Sequence, residues 1–218
     1  MEDLSDLERE EQLRSFWGEN WLMIVGGIAI GLGGIAGWRY WQGRTMQRAE
    51  QAEAGYSAVI DALTANQREQ AVTQAKTLRE TNPASPYVDQ ADLALARAAV
   101  DRREFDEAAR LLRVVMDGSR DAELRRLART RLARVLVEQG KHDEAVGLLE
   151  PADGGAFAAL YHEIRGDALA AKGDPAGARR EYESALAADD AHAGIDRDFV
   201  ALKRDALPAV AAAEVATR

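Results

Sequence analysis

The sequence predicts an all-α chain in which one membrane-spanning helix near the N-terminus precedes a solenoid of helical hairpins. Three observations carry that expectation. The apolar residues are dominated by Ala and Leu rather than by Val, Ile and aromatics, a bias toward helix over sheet. A run of nineteen residues, from Asn20 to Trp38, carries no charge. Downstream of it, short alanine-centred motifs return at a nearly constant spacing. The five prolines, Pro83, Pro86, Pro151, Pro175 and Pro208, leave long stretches free to be helical and mark breaks between them.

In chain order, residues 1–19 form an acidic segment with seven acids against two bases, Arg9 and Arg14. The transmembrane helix is assigned to residues 20–41. Its uncharged part, NWLMIVGGIAIGLGGIAGW, spans about 28 Å as a helix, close to the hydrocarbon thickness of a bilayer. Phe16, Trp17 and Trp21 bracket it on one side and Trp38, Tyr40 and Trp41 on the other, as rings do at the two interfaces. A cleaved signal peptide would need a basic flank, a shorter apolar core and a small-residue cleavage site, and the sequence has none of these there. Gly27 with Gly31, and Gly33 with Gly37, fall four residues apart, a spacing that lets a second helix backbone come close. The alternative is that glycine is simply frequent in membrane helices. The flanking arginines, two before the span and three after it (Arg39, Arg44, Arg48), decide little about orientation.

Residues 45–190 carry about four repeats. REQAV around Ala71, FDEAA around Ala108, HDEAV around Ala145 and PAGAR around Ala178 are separated by 37, 37 and 33 residues. A period near 34 marks tetratricopeptide units, each a helix-turn-helix that cannot bury its apolar face alone. The predicted fold class is therefore an N-terminal transmembrane helix followed by a tetratricopeptide-like helical-hairpin solenoid. In the clearest unit, residues 159–190, Gly166 and Ala178 permit close helix contact, Leu169 and Tyr182 fill the space between helices, and Gly173 makes the turn. Ala133, Leu136, Gly140, Ala145 and Leu149 take the same roles one unit earlier, and Ala96, Ala99, Phe105, Ala108 and Leu112 before that. The first unit, with Val59, Ala62, Ala71 and Pro83, is degenerate. Asp106-Glu107 and Asp143-Glu144 open second helices, where acids complement the helix dipole. Residues 191–207, with Phe199, Val200, Leu202 and Leu207, are expected to cap the array, and residues 208–218 to form a frayed tail.

Several function classes are excluded. A net charge of −9 without a basic stripe is a poor match for nucleic acid, whose phosphates must be neutralised. No cysteine is present, so disulfides, thiolate metal sites and thiol catalysis are absent. His142, His162 and His192 fall in different units without metal-ligand spacing, and GGIAIGLGG lacks the Lys and the Ser or Thr of a phosphate loop. No catalytic, cofactor or metal residues are assigned. What remains is protein binding. Arg97 with Asp101 and Arg134 with Glu138 form i, i+4 pairs at equivalent repeat positions on first helices, where such arrays face their concave groove, and Glu163 and Asp167 extend the polar ladder in the last unit. A solvated salt-bridge face is the plainer alternative.

The segment LEREEQLRSFWGENW, the glycine-rich span ending GWRYWQ, the four degenerate units and the closing FVALKRDAL together resemble the YfgM family of gammaproteobacterial inner-membrane proteins, ancillary subunits of the Sec translocon. The most particular of these motifs is EEQLRSFW placed directly before the span. The resemblance implies a cytoplasmic N-terminus, a periplasmic C-terminal domain, and association with the SecYEG channel and a membrane-anchored periplasmic prolyl-isomerase chaperone. The implied role is non-enzymatic, helping pass secreted proteins to periplasmic chaperones. The competing expectation is a membrane-tethered scaffold in another envelope assembly such as cytochrome maturation.

Overall fold

The computed structural model describes the backbone of residues 2–150, 154–188 and 194–208, and the side chains of these from Arg14 onward except Ser15 and Ile24. The tail expected beyond Pro208 lies outside the described residues. Two compact units divide the chain, Met1–Gln51 and Ala52–Arg218.

The first unit is a single stretch of helix, part of α1 (Glu2–Thr64), which runs without interruption through the apolar span and past both of its ends. Among the described residues it is the one helix long and apolar enough to cross a membrane, and none of its apolar window is buried in the protein. Side chains such as Leu22, Met23, Ile30 and Leu32 are 63–79% exposed, which in water would forfeit their burial energy and in a bilayer does not. Two polar side chains that flank the span are satisfied by the helix backbone itself. The Asn20 amide donates to the Phe16 carbonyl at 3.0 Å, and the Thr45 hydroxyl donates to the Gln42 carbonyl at 2.9 Å.

In the second unit each repeat is a hairpin. The C-terminal end of α1 pairs with α2 (Arg68–Thr81), α3 (Pro86–Asp101) with α4 (Phe105–Gly118), α5 (Ala122–Glu138) with α6 (His142–Leu148), and α7 (Ala158–Lys172) with α8 (Pro175–Ala187). The motif alanines Ala71, Ala108, Ala145 and Ala178 are the fourth residues of α2, α4, α6 and α8, and all four are fully buried. A methyl group is small enough to let the second helix lie close to the first at this point, without the helix-propensity cost of glycine. The turns share one geometry as well. Asn66, Arg103, Gly140 and Gly173 take left-handed backbones with φ of 57°, 60°, 74° and 89°. The next residue in each turn, Gln67, Glu104, Lys141 or Asp174, donates its N–H to the carbonyl five residues back, Ala62, Ala99, Leu136 or Leu169, at 2.7 to 2.9 Å. This bond closes the end of the first helix and delivers the chain to the second. The degenerate first unit has the same turn as the clear last one.

Between hairpins, side-chain caps start the helices. Ser85 accepts from the Tyr87 N–H, with Pro86 as first helical residue, and Asp121 accepts from the N–H groups of Glu123 and Leu124. The exception is the exit from α6, which stops after seven residues shortly before Pro151 and reaches α7 through a short 3₁₀ turn, Gly155–Phe157. Arg165 of α7 holds that exit, donating to the carbonyls of Val146 at 3.2 Å and Leu149 at 2.9 Å. One core runs from Ala52 to Ala168, with fully buried Tyr161 and Ile164 among its members. A smaller one, Ala178, Tyr182, Ala185 and Val200, joins α8 to the closing helix α9 (Arg197–Asp205).

The acids that open α4 and α6 do more than complement a dipole, which corrects the reading of them above. Gln139 donates to Asp106 at 2.8 Å and Arg113 to Glu144 at 2.6 Å, while Lys172 pairs with Asp143. Each bond ties one repeat to the next.

Candidate functional site

The first helices α3, α5 and α7 form the side of the array that carries a groove of about 820 Å³. Its floor is apolar, with Val100, Phe105, Val135, Ile164 and Phe199. Its charged lining includes five of the six candidate residues, Arg97, Asp101, Arg134, Glu138 and Asp167. The spacing explains the convergence, since Arg97 and Arg134, like Asp101 and Glu138, stand 37 residues apart and so occupy one face of successive hairpins.

The pairing expected within that ladder does not form. Arg97, Asp101, Arg134 and Glu138 have no ion-pair or hydrogen-bond partner among the described residues. On a helix the arginine-first order is the weaker i, i+4 arrangement, and an exposed pair gains too little to hold two long side chains in one geometry. Two further arginines that the sequence reading missed, Arg103 and Arg131, join the lining and are also exposed. Arg131 sits three residues before Arg134 on the same helix, the signal that would have found it. Burial, and then the charges of Arg97 and Arg134, pull its guanidinium below the ordinary arginine value.

Glu163 and Asp167 differ from the rest of the ladder because the chain itself occupies them. Lys203 of α9 donates to Glu163 at 2.8 Å and to Asp167 at 2.9 Å, and the Tyr182 hydroxyl donates to Asp167 at 2.8 Å. Burial acts to lower the Lys203 ammonium pKa, and the bonds to the two carboxylates outweigh it and leave the group above its ordinary value. Burial and the same Asp167 push the Tyr182 phenol up. The ammonium also lies 4.8 Å from the centre of the Phe199 ring.

A second cavity, about 430 Å³, lies on the α2–α4 side. Its bases are all paired. Arg79 donates twice to the buried Asp92, at 2.5 and 2.6 Å, and Arg68, Arg102 and Arg110 meet Glu104, Glu104 and Glu107. Burial raises the Asp92 pKa in spite of Arg79. His162 shares Glu181 with Arg165, at 2.7 and 3.0 Å. Among the described residues no three His, Asp or Glu side chains gather as a metal ion would require. His192 lies outside the described residues.

A tetratricopeptide-like array with a lined groove, carried behind an apolar helix, defines a repeat-domain protein of the helical adaptor class. The sequence matches the family described as a tetratricopeptide repeat-like domain over residues 14–209. It is 30% identical over 182 residues to the ancillary SecYEG translocon subunit of Escherichia coli (strain K12), covering 84% of this chain and 87% of that protein. The proteins of the same name from Haemophilus influenzae and Neisseria gonorrhoeae are 31% and 26% identical, over 80% and 92% of this chain and 85% and 98% of theirs. The chain belongs to the family of ancillary SecYEG translocon subunits, the one its N-terminal segment and span resemble.

Proposed function

We propose that this chain is a non-enzymatic adaptor of the bacterial inner membrane, anchored beside the Sec translocon by its apolar helix, with the repeat domain in the periplasm. The groove across α3, α5 and α7 would hold a polypeptide segment, and handing secreted proteins on to periplasmic chaperones, including a membrane-anchored prolyl isomerase, is the task this serves. The observation that carries the reading is the groove itself, an apolar floor with charged side chains most of which hold no partner among the described residues. The names of the relatives supply the translocon.

The experiment is crosslinking in cells from photoreactive residues placed in the span, read by mass spectrometry. Translocon subunits as the main products support the reading, and products confined to another envelope assembly sink it. Protease added to spheroplasts should remove the repeat domain, and digestion only in inverted vesicles would reverse the orientation. The glycines Gly27, Gly31, Gly33 and Gly37 are assigned to packing within the membrane, where a methyl group at any of them meets, beyond its chain neighbours and the backbone of its own helical turns, no described atom within 4 Å. Replacing Gly33 and Gly37 by Leu should leave insertion intact and weaken copurification with the translocon, whereas Leu22→Val should change neither. Copurification at the wild-type level would leave the span a plain tether.

A further inference from the structure

The charge of the groove runs against the charge of the molecule. The chain has a net charge of −9, yet Arg97, Arg103, Arg131 and Arg134 line this one cavity and none of them has a carboxylate partner among the described residues. The second cavity shows what the same side chains do where the fold means to neutralise them. There Arg68, Arg79, Arg102 and Arg110 each reach a carboxylate, at 2.8, 2.5, 3.7 and 2.7 Å. The acids of the groove do not restore the balance. Asp167 is taken by Lys203 and Tyr182, which leaves Asp101 and Glu138 against four arginines. Gathering like charges costs energy, and the charges of Arg97 and Arg134 add to burial, the larger cause, in pulling the Arg131 guanidinium below its ordinary value.

We propose that the groove takes an extended polypeptide segment in which Asp or Glu alternates with apolar residues. The carboxylates would sit on Arg97, Arg103, Arg131 and Arg134, and the apolar side chains on the floor formed by Val100, Phe105, Val135, Ile164 and Phe199. Guanidinium forks match carboxylates two bonds at a time, so four of them around one cavity select acidic segments over basic ones. The floor adds what charge alone lacks, since a purely acidic peptide buries nothing against it. The inference rests on the adaptor reading for its setting and names the class of segment the adaptor would receive.

The test uses the full chain in lipid nanodiscs, with empty nanodiscs subtracted, and fluorescent peptides that alternate Glu with Leu, Lys with Leu, or Glu with Ser. The Glu–Leu peptide should bind saturably, more tightly than the other two, and more weakly as salt is raised. The double variant Arg131→Glu, Arg134→Glu should lose at least about tenfold in affinity for it and gain affinity for the Lys–Leu peptide. Both arginines are exposed and hold no partner among the described residues, so circular dichroism should show the helices intact. Arg97→Glu should weaken binding in the same direction, and Arg120→Glu, outside the groove, should change nothing. Equal binding of the Glu–Leu and Lys–Leu peptides, unchanged affinity in the double variant, or no saturable binding at all would overturn the proposal. The span crosslinks do not depend on these arginines, so their loss would strike the adaptor reading and not the groove's preference.

Discussion

A methyl group added at Gly166 would stand 2.5 Å from Cε1 and 2.6 Å from Cδ1 of Tyr182. The ring has little room to retreat, because its hydroxyl is tied to Asp167 and it is buried in the core it shares with Val200 of α9. Gly166→Ala is therefore expected to lower stability by about 1–3 kcal/mol in urea unfolding, although Ala is the better helix former. Shortening Tyr182 to Leu in the same chain should recover part of the loss. At the turns glycine is again the favoured residue, there for its backbone rather than for space. Arg103 holds a left-handed backbone that glycine adopts without strain, so Arg103→Gly should raise stability by up to about 1 kcal/mol, and Gly173→Ala should lower it by about 1–2 kcal/mol. Both are read as shifts in the same unfolding midpoint. The roles of Gly166, Tyr182 and Gly173 were legible in the sequence because glycine and a lone large ring announce themselves. Asn66 does the work of Gly140 and Gly173 with a weaker form of the same signal and Arg103 with none, so the turn shared by all four units emerged only from the backbone.

Helices α7 and α8 are joined at the carboxylate of Glu181, which accepts from Arg165 and shares a hydrogen bond with His162. Burial acts to raise its pKa, and these partners outweigh burial and leave it below the ordinary 4.5. A carboxyl whose folded value is depressed contributes its stability in full above the unfolded value and loses it as pH falls through the folded one. Glu181→Gln should thus cost about 1–3 kcal/mol near neutral pH, and the gap between variant and wild type should close as urea unfolding is repeated from about pH 6 down to about pH 3. A gap that stays constant would mean the charge is not what joins the helices. At this scale sequence patterning located the helices well and their ties poorly. The acids of α4 and α6 were explained by their own helix ends, because their partners Gln139, Arg113 and Lys172 lie about one repeat away. The Arg97–Asp101 and Arg134–Glu138 pairs were drawn from spacing, which places two residues on one face and says nothing of whether they close.

For the array as a whole, the closing helix is attached in large part through one cation, Lys203. Lys203→Met would leave Glu163, with a side chain only 9% exposed, and Asp167 without their cation, so α9 should loosen at a cost of about 1–3 kcal/mol. Amide hydrogen exchange should rise in Arg197–Asp205 and not in α3 or α5. The period, the hairpins and the need for a cap were all readable in the sequence, since repetition amplifies a weak pattern. The groove was readable only as a ladder of candidate positions. Which of them stay free and which the cap consumes depends on side chains brought together from four helices. The extensive helix contacts join elements one or two places apart in the chain, as α3 meets α2, α4 and α5, and α7 meets α5, α6 and α8. Among the described residues no extensive contact runs from the first hairpin to the last that would make them yield together. Such an array has little loop-closure entropy to overcome as it forms. Pulled from its C-terminal end, it should surrender α9 first and then one hairpin after another, each release lengthening the chain by one step of nearly constant size.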